Sequence, residues 1–483
     1  MIDESKTPLL NALKEVVSQP HAAFYAPGHK QGKGSSYDLI DLIGKSVLKA
    51  DLPELPELDN LFALEGAIAQ AQKLAALAFQ ADRTWFLVNG SSCGIMAAIL
   101  ATCGAGDKII LPRNIHSSAI AGLVLSGAIP IFINPEYDPE AGLAYNVTPE
   151  AVASALKQHP DTKAVMMLHP TYQGICSDLK AIAQITHQYD IPLLVDEAHG
   201  AHFGFHDDLP PSALSIGADL SVQSTHKVLS AMTQASMLHL KGDRVCSQRI
   251  SRALQLVQST SPSYLLLASL DAARNQVATQ GHELMTRTIA LATEARHKIA
   301  AIPRLSVLTP NKQPGCKYID LTRLTIDVSQ LGITGFAADE ILHEQLKVTC
   351  ELPLLHHLTL IISLGNTAED IEQLVQACQT LAKIAPQTIP SPKILPPPSF
   401  IFNSLRVSPR EAYFAPTETI PIAQASDRMS GELVCPYPPG IPLLMPGEII
   451  TDEAVDYLQQ IMNAGGTITG CKDPTLKTIE IIK

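Results

Sequence analysis

Residues 221–236 read SVQSTHKVLSAMTQAS. A strand-like segment ends there in Ser224 and Thr225, and His226 and Lys227 follow side by side, ahead of an apolar stretch. A lysine on a surface helix normally sits among other charges with its ammonium in water. Lys227 stands instead among hydroxyls at a strand end, where a ligand can reach it. What the rest of the chain brings to that edge decides how it is read.

Working outward, strand-length apolar runs alternate with helical stretches from about residue 60 to 240. TWFLV (84–88), KIILP (108–112), IPIFI (129–133), AVMML (164–168) and IPLLV (191–195) read as buried strands. GIMAAILATC and LKAIAQITHQYD lie between them with apolar residues at helical spacing. Such alternation predicts an α/β fold of parallel strands joined by helical crossovers. Residues 262–302 read as mostly helical.

A second region, 303–385, mixes strands (YIDLTRLTIDV, LTLIISLG) with helices (GFAADEILHEQL, AEDIEQLVQACQTLAKI). The proline-rich PQTIPSPKILPPPS (386–399) marks a linker. The expected division is an N-terminal arm (1–60), a large domain (61–302), a small α+β domain (303–385), that linker, and a C-terminal domain (400–483).

Composition excludes several functions. Among 483 residues, 46% are hydrophobic, 17% charged and 5% aromatic, as in a soluble protein with a large core. The net charge is -12 and the basic residues are scattered, which argues against a nucleic-acid partner. The opening MIDESKTPLLNALKEV has no apolar signal core, and no run is long enough to cross a membrane. The nine cysteines form no C-x-x-C pair or zinc cluster, so no metal is expected and a reducing cytoplasm is.

Ligands of open parallel sheets bind beyond the carboxyl ends of the strands. After TWFLV comes NGSSCG and a helix, which places Ser91, Ser92 and Cys93 at a helix N-terminus suited to a phosphate. After KIILP comes RNIHSS with His116; after AVMML, HPTYQG; after IPLLV, DEAHGAH with Asp196; after DLSVQST, His226 and Lys227. Each alone is a common structural feature. Together they supply a phosphate cradle, an imidazole, a carboxylate and a lysine.

DEAH after an apolar strand also matches the metal-binding box of a P-loop helicase, but that needs G-x-x-x-x-G-K-[ST]. The closest stretch, GHKQGKGS (28–35), has three residues between Gly28 and Gly32, and Gly34 follows Lys33. A lysine amine that forms a Schiff base with the aldehyde of pyridoxal 5'-phosphate (PLP) explains the set better. NGSSCG would take the phosphate, Asp196 the pyridine nitrogen and His116 the ring.

SVQSTHKVLSAMTQAS also resembles the PLP-attachment signature of the Orn/Lys/Arg decarboxylase family. FYAPGHKQGKG (24–34), HPTYQGICSDL, DEAHGAHFGF, STSPSYLLLASLDAAR (259–274) and SPREAYFAPTE…YPPGIPLLMPGE resemble its other motifs in order. The resemblance implies PLP-dependent transferase fold type I, with a mainly parallel large domain, a smaller α+β domain and a C-terminal decarboxylase domain. It implies the short biosynthetic type without the N-terminal wing domain, acting as a cytoplasmic homodimer with shared active sites.

By the same resemblance, Lys227 holds the aldehyde and Ser91, Ser92 and Cys93 the phosphate. His116 stacks on the ring, Asp196 pairs with its nitrogen, and Ala198 packs on the opposite face. Ser224 and His226 add contacts, and Ser259 and Thr260 reach the partner's phosphate. Cys93 departs from the usual hydroxyl residue, and a thiol donates weakly.

The expected reaction is decarboxylation of a basic L-amino acid for polyamine biosynthesis, arginine to agmatine ahead of lysine or ornithine. The cofactor also serves aminotransferase- and desulfurase-like reactions, and a non-catalytic PLP-fold binding subunit is a further alternative. SPREAYFAPTE favours decarboxylation, since it belongs to the family rather than the fold. The distal cation of such a substrate calls for an acid. Glu411, Glu418, Asp427 and Glu432 are candidates by position, against the plainer reading of each as a solvated surface acid.

Overall fold

The computed structural model describes residues 3–139, 141–310, 313–385, 405–437 and 440–483. The proline-rich linker read at 386–399 lies outside the described residues. The chain divides into two compact units, one of residues 1–101 and 195–285, the other of 102–194 and 286–483.

One sheet has seven strands. Its strands are β1 (Arg83–Leu87), β2 (Lys108–Pro112), β3 (Ile129–Ile133), β4 (Thr162–Leu168), β5 (Leu193–Asp196), β6 (Leu220–Gln223) and β7 (Ser236–Leu240), in spatial order β1-β7-β6-β5-β4-β2-β3. β2 pairs in parallel with β3 and β4. β7 is antiparallel to β1 and β6. The chain passes from one unit to the other within β5. Its start lies beside β4 through Val165 N–H to Pro192 O, 3.1 Å, and its end beside β6 through Glu197 N–H to Val222 O, 2.9 Å.

Alternation of strand and helix had predicted the parallel strands, and β2 and β3 fall on the residues expected. The antiparallel β7, SMLHL, was not among them. All five of its residues are buried, so no polar alternation marks it.

In the first unit, helix α1 (Gly90–Thr102) follows β1 directly. Gly94 lets it lie close to the sheet. A Cβ at that position would stand 2.7 Å from Leu87 Cδ1 and 2.7 Å from Val222 Cγ1, where no side-chain carbon fits.

In the second unit, helix α2 (Ser117–Ser126) follows β2 and ends at Gly127, which takes a left-handed conformation at φ +77°. The chain then builds a four-stranded antiparallel sheet from β8 (Ser306–Val307), β9 (Arg323–Asp327), β10 (Leu352–Pro353) and β11 (His357–Ile361), in order β8-β9-β11-β10. The helix expected at 368–384 is observed as Ala368–Ile384, opened by a capping box between Thr367 and Asp370. Its Ile371, Leu374, Val375 and Leu381 pack with Leu324, Ile326 and Leu358 of the sheet. The last eighty residues gather around Val434, Leu444, Ile450, Leu458, Ile479 and Ile481.

Candidate active site

The first unit supplies a cradle at the start of α1. Gly90 turns the chain there with φ +75°, a conformation that costs glycine least. The leading N–H groups of a helix have no partner within it, so they suit an anion. Ser224, which follows β6, donates its hydroxyl to Ser91 Oγ at 2.7 Å and so joins the two strand ends. Ser92 is half-buried beside them.

Cys93 behaves differently. Its thiol is fully buried, donates to Gly90 O at 3.0 Å, and is pushed up to about 12 by burial. The side chain is a core group, and what Cys93 offers an anion is its backbone N–H. Ser259 and Thr260 are exposed, with Ser259 N–H 3.4 Å from Asn89 Oδ1, just ahead of α1.

Asp196 closes β5 and is 6% exposed. Burial pushes its carboxyl above the ordinary range, while the Lys227 charge and the Ala198 N–H, 3.1 Å from Oδ1, pull it back. Lys227 lies on a single helical turn, Thr225–Val228, and its N–H is 3.1 Å from Ser224 O. Its Nζ is 2.9 Å from His199 Nε2. His226 turns aside: Nδ1 lies 3.0 Å from Ala235 O, and a carbonyl only accepts, so Nδ1 carries the proton.

In the second unit His116 caps α2. Its Nδ1 accepts the Ser118 N–H at 3.2 Å and lies 2.9 Å from Ser118 Oγ, which leaves a neutral ring with its proton on Nε2. A cavity of about 170 Å³ opens at the carboxyl ends of β2 and β4, lined by Asn114, Leu168, Tyr172, Tyr437 and Leu443 among others, with no carboxylate among the described residues of its lining.

Three of the four acids weighed for a distal cation have other partners within the second unit. Glu411 closes a capping box with Ser408, and exposed Glu418 pairs with Arg428 at 3.0 Å. Asp427 occupies a turn at φ +63°. Glu432 is 8% exposed and accepts the N–H groups of Lys472 and Glu480 at 2.8 and 3.0 Å.

The model for the major domain of Orn/Lys/Arg decarboxylases matches residues 7–383, and that for their C-terminal domain matches residues 402–473. The chain belongs to the Orn/Lys/Arg decarboxylase family. The arginine decarboxylase of Bacillus subtilis (strain 168) is 41% identical over all of this chain and 99% of its own length. That of Bacillus anthracis is 39% identical over all of this chain and 98% of its own. The lysine decarboxylase of Francisella novicida superposes with a TM-score of 0.83 at 23% identity, over 99% of this chain and 81% of that one, a likeness of fold.

A decarboxylase of this family depends on PLP, and the first unit fits that cofactor. Asp196 is a buried carboxyl whose burial outweighs the pull of Lys227 and of the Ala198 N–H, and a protonated ring nitrogen would supply a further positive partner. Lys227 is within hydrogen-bonding reach of a second base, and Ser91 and Ser224 meet at a helix N-terminus.

Three features of the site were not assigned from the sequence. Glu197 is completely buried and accepts from Ser221 Oγ at 2.5 Å, Gln223 Nε2 at 2.8 Å and Ala213 N–H at 2.8 Å. Burial still raises it to about 7. It pins the segment that carries Asp196 to β6. His199 was in view only as part of DEAHGAH. Arg113, in RNIHSS, donates to the carbonyls of Pro442 and Leu443 at 2.7 and 2.9 Å and pairs with Glu448, tying the segment after β2 to IPLLMPGE. An arginine directly after a buried strand was the available signal.

Proposed function

We propose that this decarboxylase removes the α-carboxylate of L-arginine, giving agmatine and CO2 for polyamine biosynthesis. The observation that carries the choice of arginine is the match, at 39–41% identity over 98–99% of their lengths, to Bacillus and Halalkalibacterium proteins named arginine decarboxylase. Lysine decarboxylases match at 22–25%.

When bound, PLP supplies a sink for the electron pair that CO2 leaves behind. The side chains do the rest. Lys227 would be the residue that holds the aldehyde carbon. Ser91, Ser92 and the Cys93 N–H, with Ser224, take the phosphate, and exposed Ser259 and Thr260 reach that of a partner subunit. Asp196 keeps a proton on the ring nitrogen, because a neighbouring carboxylate favours the charged form. Ala198 would bound one face of the ring. His226, held by Ala235 O, steadies the turn that carries Lys227. Lys227 returns a proton to Cα.

We infer further a homodimer with shared active sites in the cytoplasm. Seven of the nine cysteines are buried, which accords with small core residues in a reducing compartment.

The test gives purified, PLP-loaded protein equal L-arginine, L-lysine and L-ornithine and identifies the amines by mass spectrometry. Agmatine should dominate and vanish in Lys227→Ala. Dominant cadaverine or putrescine would overturn the choice of arginine. Unchanged agmatine from Lys227→Ala would overturn the role of the lysine.

A further inference from the structure

The contact between Lys227 and His199 has no place in the roles given so far. An ammonium has three N–H donors and no acceptor, whereas an imidazole nitrogen can hold a proton or accept one. With Nζ and Nε2 2.9 Å apart, one proton lies between two bases. His199 is 5% exposed, so water competes poorly for that proton.

The backbone that carries His199 is also held. Gly200 N–H closes a turn on Glu197 O at 2.9 Å, and Phe203 N–H closes the next on Gly200 O at 3.0 Å. Glu197 is itself fixed to β6 through Ser221 and Gln223. β5 and β6 thus deliver the two bases from anchored turns, as a proton transfer requires. Asp196, whose carboxyl feels the Lys227 charge, and His226, the residue before Lys227, whose ring faces Ala235 O, are titratable groups close to this pair.

We propose that His199 is the base that relieves Lys227 of its proton while the lysine nitrogen joins to an aldehyde carbon. The proposal rests on the reading of Lys227 as the residue that holds PLP. As the C–N bond forms, an Nζ–H bond breaks and an Nε2–H bond forms on His199. That proton passes from Nε2 to the aldehyde oxygen, and a second Nζ proton follows it by the same route as the C–O bond breaks. The oxygen leaves as water, and the third proton of the ammonium stays on the nitrogen. Nothing is oxidised or reduced, and the reverse sequence serves release. An ordinary lysine amine titrates near 10.4, so at pH 7 about one in 2,500 is ready to react without such help.

The experiment uses the full chain stripped of cofactor. The rate of PLP capture is followed by absorbance from pH 6 to 10, and the bond is trapped with borohydride and located by mass on Lys227. His199→Asn keeps a polar partner without a titratable base, and His199→Phe removes both. Both variants should capture PLP at least tenfold more slowly than wild type at pH 7. Their rates should recover towards pH 10, and the final occupancy of Lys227 should be unchanged. A rate profile in His199→Asn that matches wild type overturns the proposal. So does a deficit in either variant that is the same at every pH, because that is what a purely structural role predicts. Failure of wild type to acquire the trapped mass on Lys227 would overturn the reading of the lysine itself, a separate outcome.

Discussion

Arg113 Nη2 lies 3.0 Å from Glu448 Oε2, and each side chain is 3% exposed. Residues 335 positions apart are joined by a buried ion pair, which Met445 N–H strengthens by donating to Glu448 at 2.9 Å. Removing one member of such a pair leaves the other charge buried. Arg113→Met should cost about 3–5 kcal/mol of stability. Glu448→Gln, which keeps an acceptor for the guanidinium, should cost less. Urea unfolding of the three proteins measures both. Equal, small losses would show that the pair does not hold this segment.

Glu197 makes stability depend on pH. Its folded value of about 7 lies above the ordinary 4.5, so the native state favours the protonated form. This contribution is fully present below about 4.5 and is lost as pH rises through about 7. The interval corresponds to about 3 kcal/mol. Glu197→Gln should flatten that part of the stability profile between pH 4.5 and 8, read from urea midpoints. A variant whose profile declines as steeply as wild type would place the titration on another group.

Gly94 has no room for a methyl group between Leu87 and Val222. Gly94→Ala should destabilise by about 1–3 kcal/mol through overpacking. Because α1 carries the cradle, PLP should also bind more weakly. Adding Val222→Ala removes one of the two clashing groups and should recover part of both losses. Equilibrium unfolding and PLP titration would show this. No recovery in the double variant would mean that the helix moves for a different reason.

Asp196→Asn separates holding the cofactor from using it. Lys227 and the serines remain, so loading should persist. The paired carboxylate supports the charged ring nitrogen by about 1–3 pKa units, each worth a factor of ten. The kcat should therefore fall roughly 10- to 1000-fold while PLP occupancy changes little. Equal falls in both would make Asp196 a binding residue first.

Much of the site could be read from the chain because strand ends are a local signal. TWFLV, IPLLV and DLSVQST each stop where their chemistry begins, and Ser91, Asp196, Ser224 and Lys227 emerge together in the first unit. What escaped depends on distance or direction. Cys93 sits in the right motif, but whether its thiol faces a ligand or the core is set by packing on Gly90. Glu197 finds its partners 16 to 26 residues away. His199 acquires meaning from Lys227, 28 residues on. The all-buried β7 gives no sign of its direction, since nothing in a fully covered strand alternates.

The thiols carry a practical consequence. Seven of the nine are buried, Cys471 is partly covered, and Cys246 alone is exposed. Since accessible thiolates react and buried thiols do not, a maleimide dye offered briefly to the native protein settles on Cys246. That residue lies just ahead of the helix Ser247–Val257. The protein thus comes with its own attachment point for a fluorophore or spin label, and its unfolding can be followed as the other thiols open to the reagent in turn.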